Sequence, residues 1–147
     1  DVTVFSHSPS KKDDALRMGA KEFVVVKNKE DLKSESKKYD LILNTVSANL
    51  DLEWYIECLK LDGTIVLMGL PGEPYSIGTG SLIAQRRSVS GSMIGGIPEL
   101  QEMLNFCGKH SITSDIELID PDYINSAYDR TVASDVKYRF VIDAKTF

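Results

Sequence analysis

Short, β-branched apolar runs alternate along this chain with segments whose apolar residues recur at helical spacing, and this rhythm limits the possible folds more than any other feature. Val2–Phe5, Phe23–Val26, Leu41–Leu43 and Thr64–Met68 read as strands, and Ser88–Ile94 as a weakly alternating one. After the first run, Ser8 or Ser10 can cap a helix reaching about Met18. With Ser8 as cap, Pro9 takes the first helical position; with Ser10, Asp13 completes a Ser-x-x-Asp cap. Gly19 supplies the stop. Residues 27–38 are mostly charged and predict a solvated loop or loose helix. Leu52, Tyr55, Ile56 and Leu59 form a helical stripe that Asp62-Gly63 ends. The Gly-rich stretch 72–80 is a loop, and 81–87 a short helix or turn. Pro98 opens a helix with the stripe Leu100, Met103, Leu104 and Cys107. The last third predicts a strand at Ile116–Ile119, a helix from Asp120-Pro121 and a strand at Tyr138–Asp143.

Such β-α-β alternation implies an α/β fold: a mostly parallel sheet with helices on both faces. Ligands of such sheets sit beyond the carboxyl ends of the strands. The polar, Gly-rich and Ser-rich segments 6–10, 44–49, 69–73 and 92–96 all fall there. Composition narrows the function. A net charge of −5 argues against a nucleic-acid partner. No apolar run is long enough to cross a membrane as a helix. With only His7 and His110 beside Cys58 and Cys107, and no CxxC or HExxH, a metal site built within the chain is not expected. Both cysteines lie on helical stripes and read as small buried hydrophobes; with no targeting signal in view, the expected compartment is the cytoplasm.

Five segments, in this order and spacing, carry a resemblance: FSHSPSKKDDALRMGA (5–20), YDLILNTVSANLDL (39–52), LKLDGTIVLMGLPG (59–72), VSGSMIGG (89–96) and DVKYRFVID (135–143). Together they make the chain similar to the C-terminal part of the zinc-dependent medium-chain dehydrogenase/reductases, in the cinnamyl-alcohol-dehydrogenase-like branch. The resemblance implies a fragment of a two-domain enzyme that passes hydride between a nicotinamide cofactor and an alcohol or aldehyde. Residues 1–113 would be a partial Rossmann-like cofactor domain. Residues 114–147 would be a C-terminal segment returning to a GroES-like catalytic domain that holds zinc. The family's first Rossmann strand and Gly-rich turn precede the position of Val2, and in the order 3-2-1-4-5-6 that strand is central. The expected sheet is therefore incomplete, with two unpaired inner edges. Zinc is expected in the intact parent with no ligand from this chain, no catalytic residue falls here, and the fragment alone is expected to be inactive.

The resemblance also distributes cofactor contacts. Ser6, His7, Ser8 and Lys11 follow the strand that meets the adenosine ribose. NAD-specific domains place Asp or Glu there. Hydroxyls and Lys11 suit a 2′-phosphate instead, so NADP(H) is expected over NAD(H). His7 stands where NADP-preferring members carry Arg, which offers more donors. Thr45 and Val46 are expected along the cofactor, Gly69, Leu70 and Pro71 near the nicotinamide ribose, and Ser92, Met93 and Ile94 at the carboxamide. A homodimer and a small-molecule alcohol or aldehyde substrate are implied for the intact enzyme. Two other readings stay open: a non-catalytic nucleotide-binding or self-associating domain, and a zinc-free quinone or enoyl reductase of the same superfamily.

Overall fold

The computed structural model describes residues 1–146 and divides into two compact units, Asp1–Ile94 and a second from Gly95 onward.

The first unit holds two parallel sheets. In one, β1 (Thr3–Ser6) pairs with β2 (Glu22–Val25), in register from Thr3 with Glu22 to Ser6 with Val25. A 3₁₀ turn over Pro9–Lys11 leads into α1 (Lys12–Arg17), and Gly19 takes the left-handed φ of +103° that ends it. Ser8 is the residue at the cap, with Pro9 just inside, but no side-chain hydrogen bond caps the turn. In the other sheet, β3 (Tyr39–Asn44), β4 (Leu59–Leu67) and β5 (Ser88–Gly91) lie in that order, all parallel. Two short helices, α2 (Leu52–Ile56) and α3 (Thr79–Ile83), make the crossovers.

Side chains, rather than a backbone ladder, join the two sheets. Leu52, Ile56, Leu59 and Ile65 are fully buried and form one core; each such burial is worth about 1.5–3 kcal/mol. Val26, Leu32 and Cys58 form a second, flanked by Phe5 and Val24 from one sheet and Tyr39 and Ile42 from the other. The Phe5 ring meets Tyr39 edge-on at 5.3 Å. Among the described residues β1 pairs only with β2, and β3 only with β4. A groove of about 470 Å³ lies between β1 and β3, walled by Val2, Val4, Leu41 and Leu43 and floored by Tyr55 and Ile65. The incomplete sheet is thus present, split where a central strand would run.

Three local expectations need correcting. Leu59 does not close the α2 stripe: the helix ends at Ile56, and Cys58 turns the chain, its carbonyl accepting from the Lys38 and Tyr39 amides at 2.9 and 3.1 Å. Leu59 opens β4 instead. Asp62-Gly63 lies inside that strand, where the register jumps between Tyr39–Leu59 and Leu41–Thr64, and Asp62 has a φ of +61°. Second, residues 29–35 form an ordered 3₁₀ helix with an Asn28–Asp31 capping box, and they bury Leu32 and Glu35. Third, the strand expected at Ser88–Ile94 stops at Gly91. Its partner β4 ends at Leu67, whose carbonyl takes the Ser92 amide as the last bond at 3.0 Å.

Glu35 shows how a buried carboxylate survives. Burial pushes it up, but donors from Tyr39, Lys38 and Ser34 outweigh this and hold it below the ordinary value. Burial and the adjoining carboxylate push the Tyr39 phenol up to about 12. A carboxylate lowered by folding stabilises the protein above its unfolded pKa, and that contribution is lost as pH falls through the folded one. Glu35→Gln is therefore expected to be less stable than the parent near neutrality and equal to it at acid pH, read from urea midpoints. Arg87 ties the crossover down, donating to the carbonyls of Leu59 (2.7 and 3.0 Å), Ser81 (3.1 Å) and Glu57 (3.3 Å). Arg87→Ala is expected to cost about 2–3 kcal/mol in denaturant unfolding, and Arg87→Lys to recover only part, because one ammonium cannot span three carbonyls.

In the second unit α4 (Ile97–His110) starts at Gly96, whose amide donates to Glu99 at 2.8 Å. Its expected stripe is not buried: Leu100, Met103 and Leu104 are about half exposed, and Cys107 is only partly covered. β6 (Glu117–Ile119) and β7 (Phe140–Ile142) pair in parallel across α5 (Ile124–Val132). The strand expected at Tyr138–Asp143 is shorter at both ends. Arg130 organises the DVKYRF segment. It binds Glu117 at 2.8 Å and Asp135 at 3.0 Å and lies 4.8 Å from the Phe140 ring centre. Glu117 also accepts from the Lys137 amide at 2.9 Å, and that bond, ahead of Arg130, holds its carboxyl below the ordinary value.

Candidate functional site

Register places the site. Asn44, Leu67 and Gly91 are partners across β3, β4 and β5, so the segments leaving these strands emerge side by side at one sheet edge. Thr45 and Val46 leave β3, both exposed. Met68 through Pro71 leave β4, with Leu70 87% exposed. Ser92, Met93 and Ile94 leave β5, and the last two are about nine-tenths exposed. Eight of the twelve residues singled out for cofactor contact thus share one edge: Thr45, Val46, Gly69, Leu70, Pro71, Ser92, Met93 and Ile94.

The first two segments are locked together. The Asn44 carbonyl accepts from both Met68 and Gly69 amides, at 2.9 and 3.0 Å. Gly69 lies so close to the turn after β3 that an added Cβ would stand 2.2 Å from the Val46 carbonyl oxygen. Only glycine fits. The side chain of Asn44 is buried. Its amide oxygen accepts from the Val46 amide at 3.1 Å, and its amide nitrogen donates to the Tyr75 hydroxyl at 3.2 Å. The loop bearing Tyr75 is pinned to α2 and to the segment before it: the Gly78 amide donates to Glu53 at 3.1 Å and the Glu73 amide to Asn49 at 3.3 Å. Asn44 opens the segment 44–49 expected at the crevice, but the sequence assigned no role to it or to Tyr75. The available signal was an asparagine ending an otherwise apolar strand, a residue that strands disfavour.

Ser6, His7, Ser8 and Lys11 leave the end of β1, in the other sheet of the same unit. Ser6 Oγ accepts from the Ser8 amide at 3.2 Å, which leaves the Ser6 hydroxyl proton able to donate outward. His7 and Lys11 are exposed. Hydroxyl and ammonium donors, with no carboxylate among these four residues, fit a phosphate group. Zinc is a different matter. Among the described residues no three His, Cys, Asp or Glu side chains gather as a metal site requires, so no metal-borne step is assigned to these residues.

Parallel strands with crossover helices and loops gathered at their carboxyl ends define a nucleotide-binding type of α/β architecture. The chain belongs to the zinc-binding dehydrogenase family, whose profile matches residues 1–109. It is 55% identical over 143 residues to NADP-dependent alcohol dehydrogenase C 1 of Mycolicibacterium smegmatis, covering 97% of this chain and 41% of that protein. The chain thus spans about two-fifths of the length of the curated relatives it matches. Among solved structures, it matches a cinnamyl alcohol dehydrogenase from Sorghum bicolor with a TM-score of 0.92 and 39% identity, over 97% of this chain and 40% of that one. It also matches CAD from Helicobacter pylori, solved as a complex with NADP(H), with a TM-score of 0.84 and 36% identity, over 99% of this chain and 41% of that one.

Proposed function

We propose that this chain is the cofactor-binding part of an NADP(H)-dependent alcohol dehydrogenase or aldehyde reductase. The observation that carries this is the alignment of three strand ends, which brings Thr45–Val46, Gly69–Pro71 and Ser92–Ile94 to one edge. The cofactor and substrate class that the relatives' names carry, and the phosphate-fitting donors after β1, support it.

Each segment has a task. The Ser6 hydroxyl and Lys11 ammonium bind the 2′-phosphate, Lys11 by charge and Ser6 by a directed hydrogen bond; Ser8 and His7 add donors. The Thr45–Val46 turn and the Gly69–Pro71 backbone form a floor along which the cofactor lies. Ser92, Met93 and Ile94 offer backbone groups to the carboxamide and so orient the ring. When bound, the nicotinamide supplies the hydride chemistry. These residues hold and orient it, and the carbonyl or alcohol is delivered by the remainder of the parent protein. Met93 and Ile94 also stand beside β5, whose outer edge pairs with no other strand among the described residues. Two exposed apolar side chains beside an open strand edge suit a homodimer contact. The domain division proposed for the parent is a cofactor part over residues 1–113 and a returning segment over 114–147. Cytoplasmic residence is proposed as well.

The test is to express the complete polypeptide that contains this sequence and measure kcat/KM for primary alcohols and aldehydes with NADP(H) and NAD(H). Activity with a clear NADP(H) preference supports the reading. Binding of neither cofactor by the complete protein would remove it.

A further inference from the structure

We infer that Asn44, acting with Tyr75, is the positioning residue that sets the Thr45–Val46 turn against Gly69 and so shapes the floor on which the cofactor lies. This rests on the cofactor reading given above and extends it to residues with no expected cofactor contact.

Asn44 ends β3 and is only 7% exposed. Strands disfavour asparagine, and a buried amide costs free energy unless its groups are paired. Here they are paired with two different parts of the site. The amide oxygen takes the Val46 amide and folds the chain sharply after the strand, as asparagine side chains do in turns. The amide nitrogen reaches Tyr75 in the loop that leads to α3, 31 positions away in sequence. The backbone carbonyl of the same residue takes the Met68 and Gly69 amides. One residue therefore ties together the segment after β3, the segment after β4 and the following loop.

The fit at Gly69 explains why the tie matters. The Val46 carbonyl stands where a Gly69 side chain would begin. The Asn44 side chain holds the 45–46 peptide through the Val46 amide, and the Thr45 carbonyl carbon and the Val46 carbonyl that follows both lie against Gly69, so a shift of this turn would either close on Gly69 or open a gap beneath the cofactor. Asparagine is suited to prevent this because it accepts and donates at once from one rigid plane. Leucine would match its bulk yet leave the Val46 amide and the Tyr75 hydroxyl without this partner. Tyr75 is held in turn, since its ring packs on the Leu52–Ile65 core.

The experiment uses the complete parent protein carrying Asn44→Leu or Tyr75→Phe, with Ser6→Asp as the control that does not touch this network. Amide hydrogen exchange without cofactor is expected to speed up about tenfold or more at Val46 and Gly69 in Asn44→Leu, and about two- to threefold in Tyr75→Phe. The Kd and KM for NADPH are expected to rise about tenfold in Asn44→Leu, with kcat within about twofold; a residue serving stability alone would not split KM from kcat in this way. Unchanged exchange at Val46 and Gly69 overturns the proposal. So does faster exchange with unchanged NADPH affinity. If Asn44→Leu fails to fold, Tyr75→Phe decides: faster exchange with weakened NADPH binding supports the tie, and no change in either overturns it. If Ser6→Asp alters cofactor use while the Asn44 and Tyr75 variants do not, the tie fails and the cofactor reading stands. If none of the three affects binding, the cofactor reading itself fails.

Discussion

Ser6→Asp in the complete parent protein is expected to lower kcat/KM with NADPH by about 10²-fold or more while leaving NADH use within a fewfold of its starting value. Local geometry lets the substitution act on the ligand rather than the fold. Ser6 Oγ already accepts from the Ser8 amide, and an aspartate oxygen can take the same bond, so the turn after β1 keeps its internal support. What changes is the outward face: a hydroxyl proton that can donate to phosphate becomes a carboxylate that repels it. Exchanging a charge-assisted hydrogen bond for like-charge contact is worth about 3 kcal/mol or more, which converts to about 10²-fold. The same carboxylate can accept from ribose hydroxyls, so NADH is spared. Equal losses with both cofactors would reject Ser6 as part of a 2′-phosphate site. Lys11→Ala is expected to move in the same direction by a smaller factor, because its exposed ammonium is screened by solvent.

The second large effect concerns the groove between β1 and β3. The 147-residue chain on its own is expected to self-associate at tens of micromolar and to bind ANS, the dye that reports exposed apolar surface. Leu41 and Leu43 are more than half exposed along one wall, and Val2 is 61% exposed on the other. These apolar side chains flank strand edges with no partner strand among the described residues, the combination that templates pairing with another chain. Leu43→Lys is expected to reduce association by placing a charge on the edge. Its cost to folding is expected to be small, since the side chain it replaces is mostly solvated. Sedimentation and dye binding decide the matter. A monodisperse monomer with low dye signal and a single two-state melt would show that the groove closes on itself.

Much of this architecture could be read from residue patterns. Apolar runs at Val2–Phe5, Phe23–Val26, Leu41–Leu43 and Thr64–Met68 all became strands, because short β-branched runs between turn residues have few other ways to bury themselves. Boundaries failed where a tertiary contact overrode a local period. Leu59 continues the α2 spacing perfectly well. It starts a strand because the Cys58 carbonyl is taken by the amides of Lys38 and Tyr39, more than eighteen residues upstream. Glu35 looked like one charge among many in 27–38, and nothing local shows that Tyr39 and Lys38 would bury and pair it. The candidate site divides in the same way. Segments at strand ends follow from chain order alone, while the contacts expected of Gly69 and Ser92 within them rest on the family resemblance. Asn44 could not be ranked, since its importance lies in reaching Tyr75 across a loop whose path has no periodic signal.

The arrangement of the two sheets in the first unit bears on how that unit comes apart. β1, α1 and β2 occupy residues 3–25 without interruption, and β3 through β5 occupy residues 39–91. No strand of one sheet is interleaved in sequence with strands of the other. Each sheet therefore closes its ladder through its own crossovers, and side-chain contacts around Phe5, Tyr39 and Tyr55 couple them. Sub-global opening is expected to follow that seam: the β1–β2 amides exchange first, as one cooperative group, while the Ile65-centred sheet stays protected. Under the proposed function, a loss of order after β1 would thus release the phosphate end of the cofactor site without dissolving the end that holds the ring, making the two ends of a single site separate units of stability.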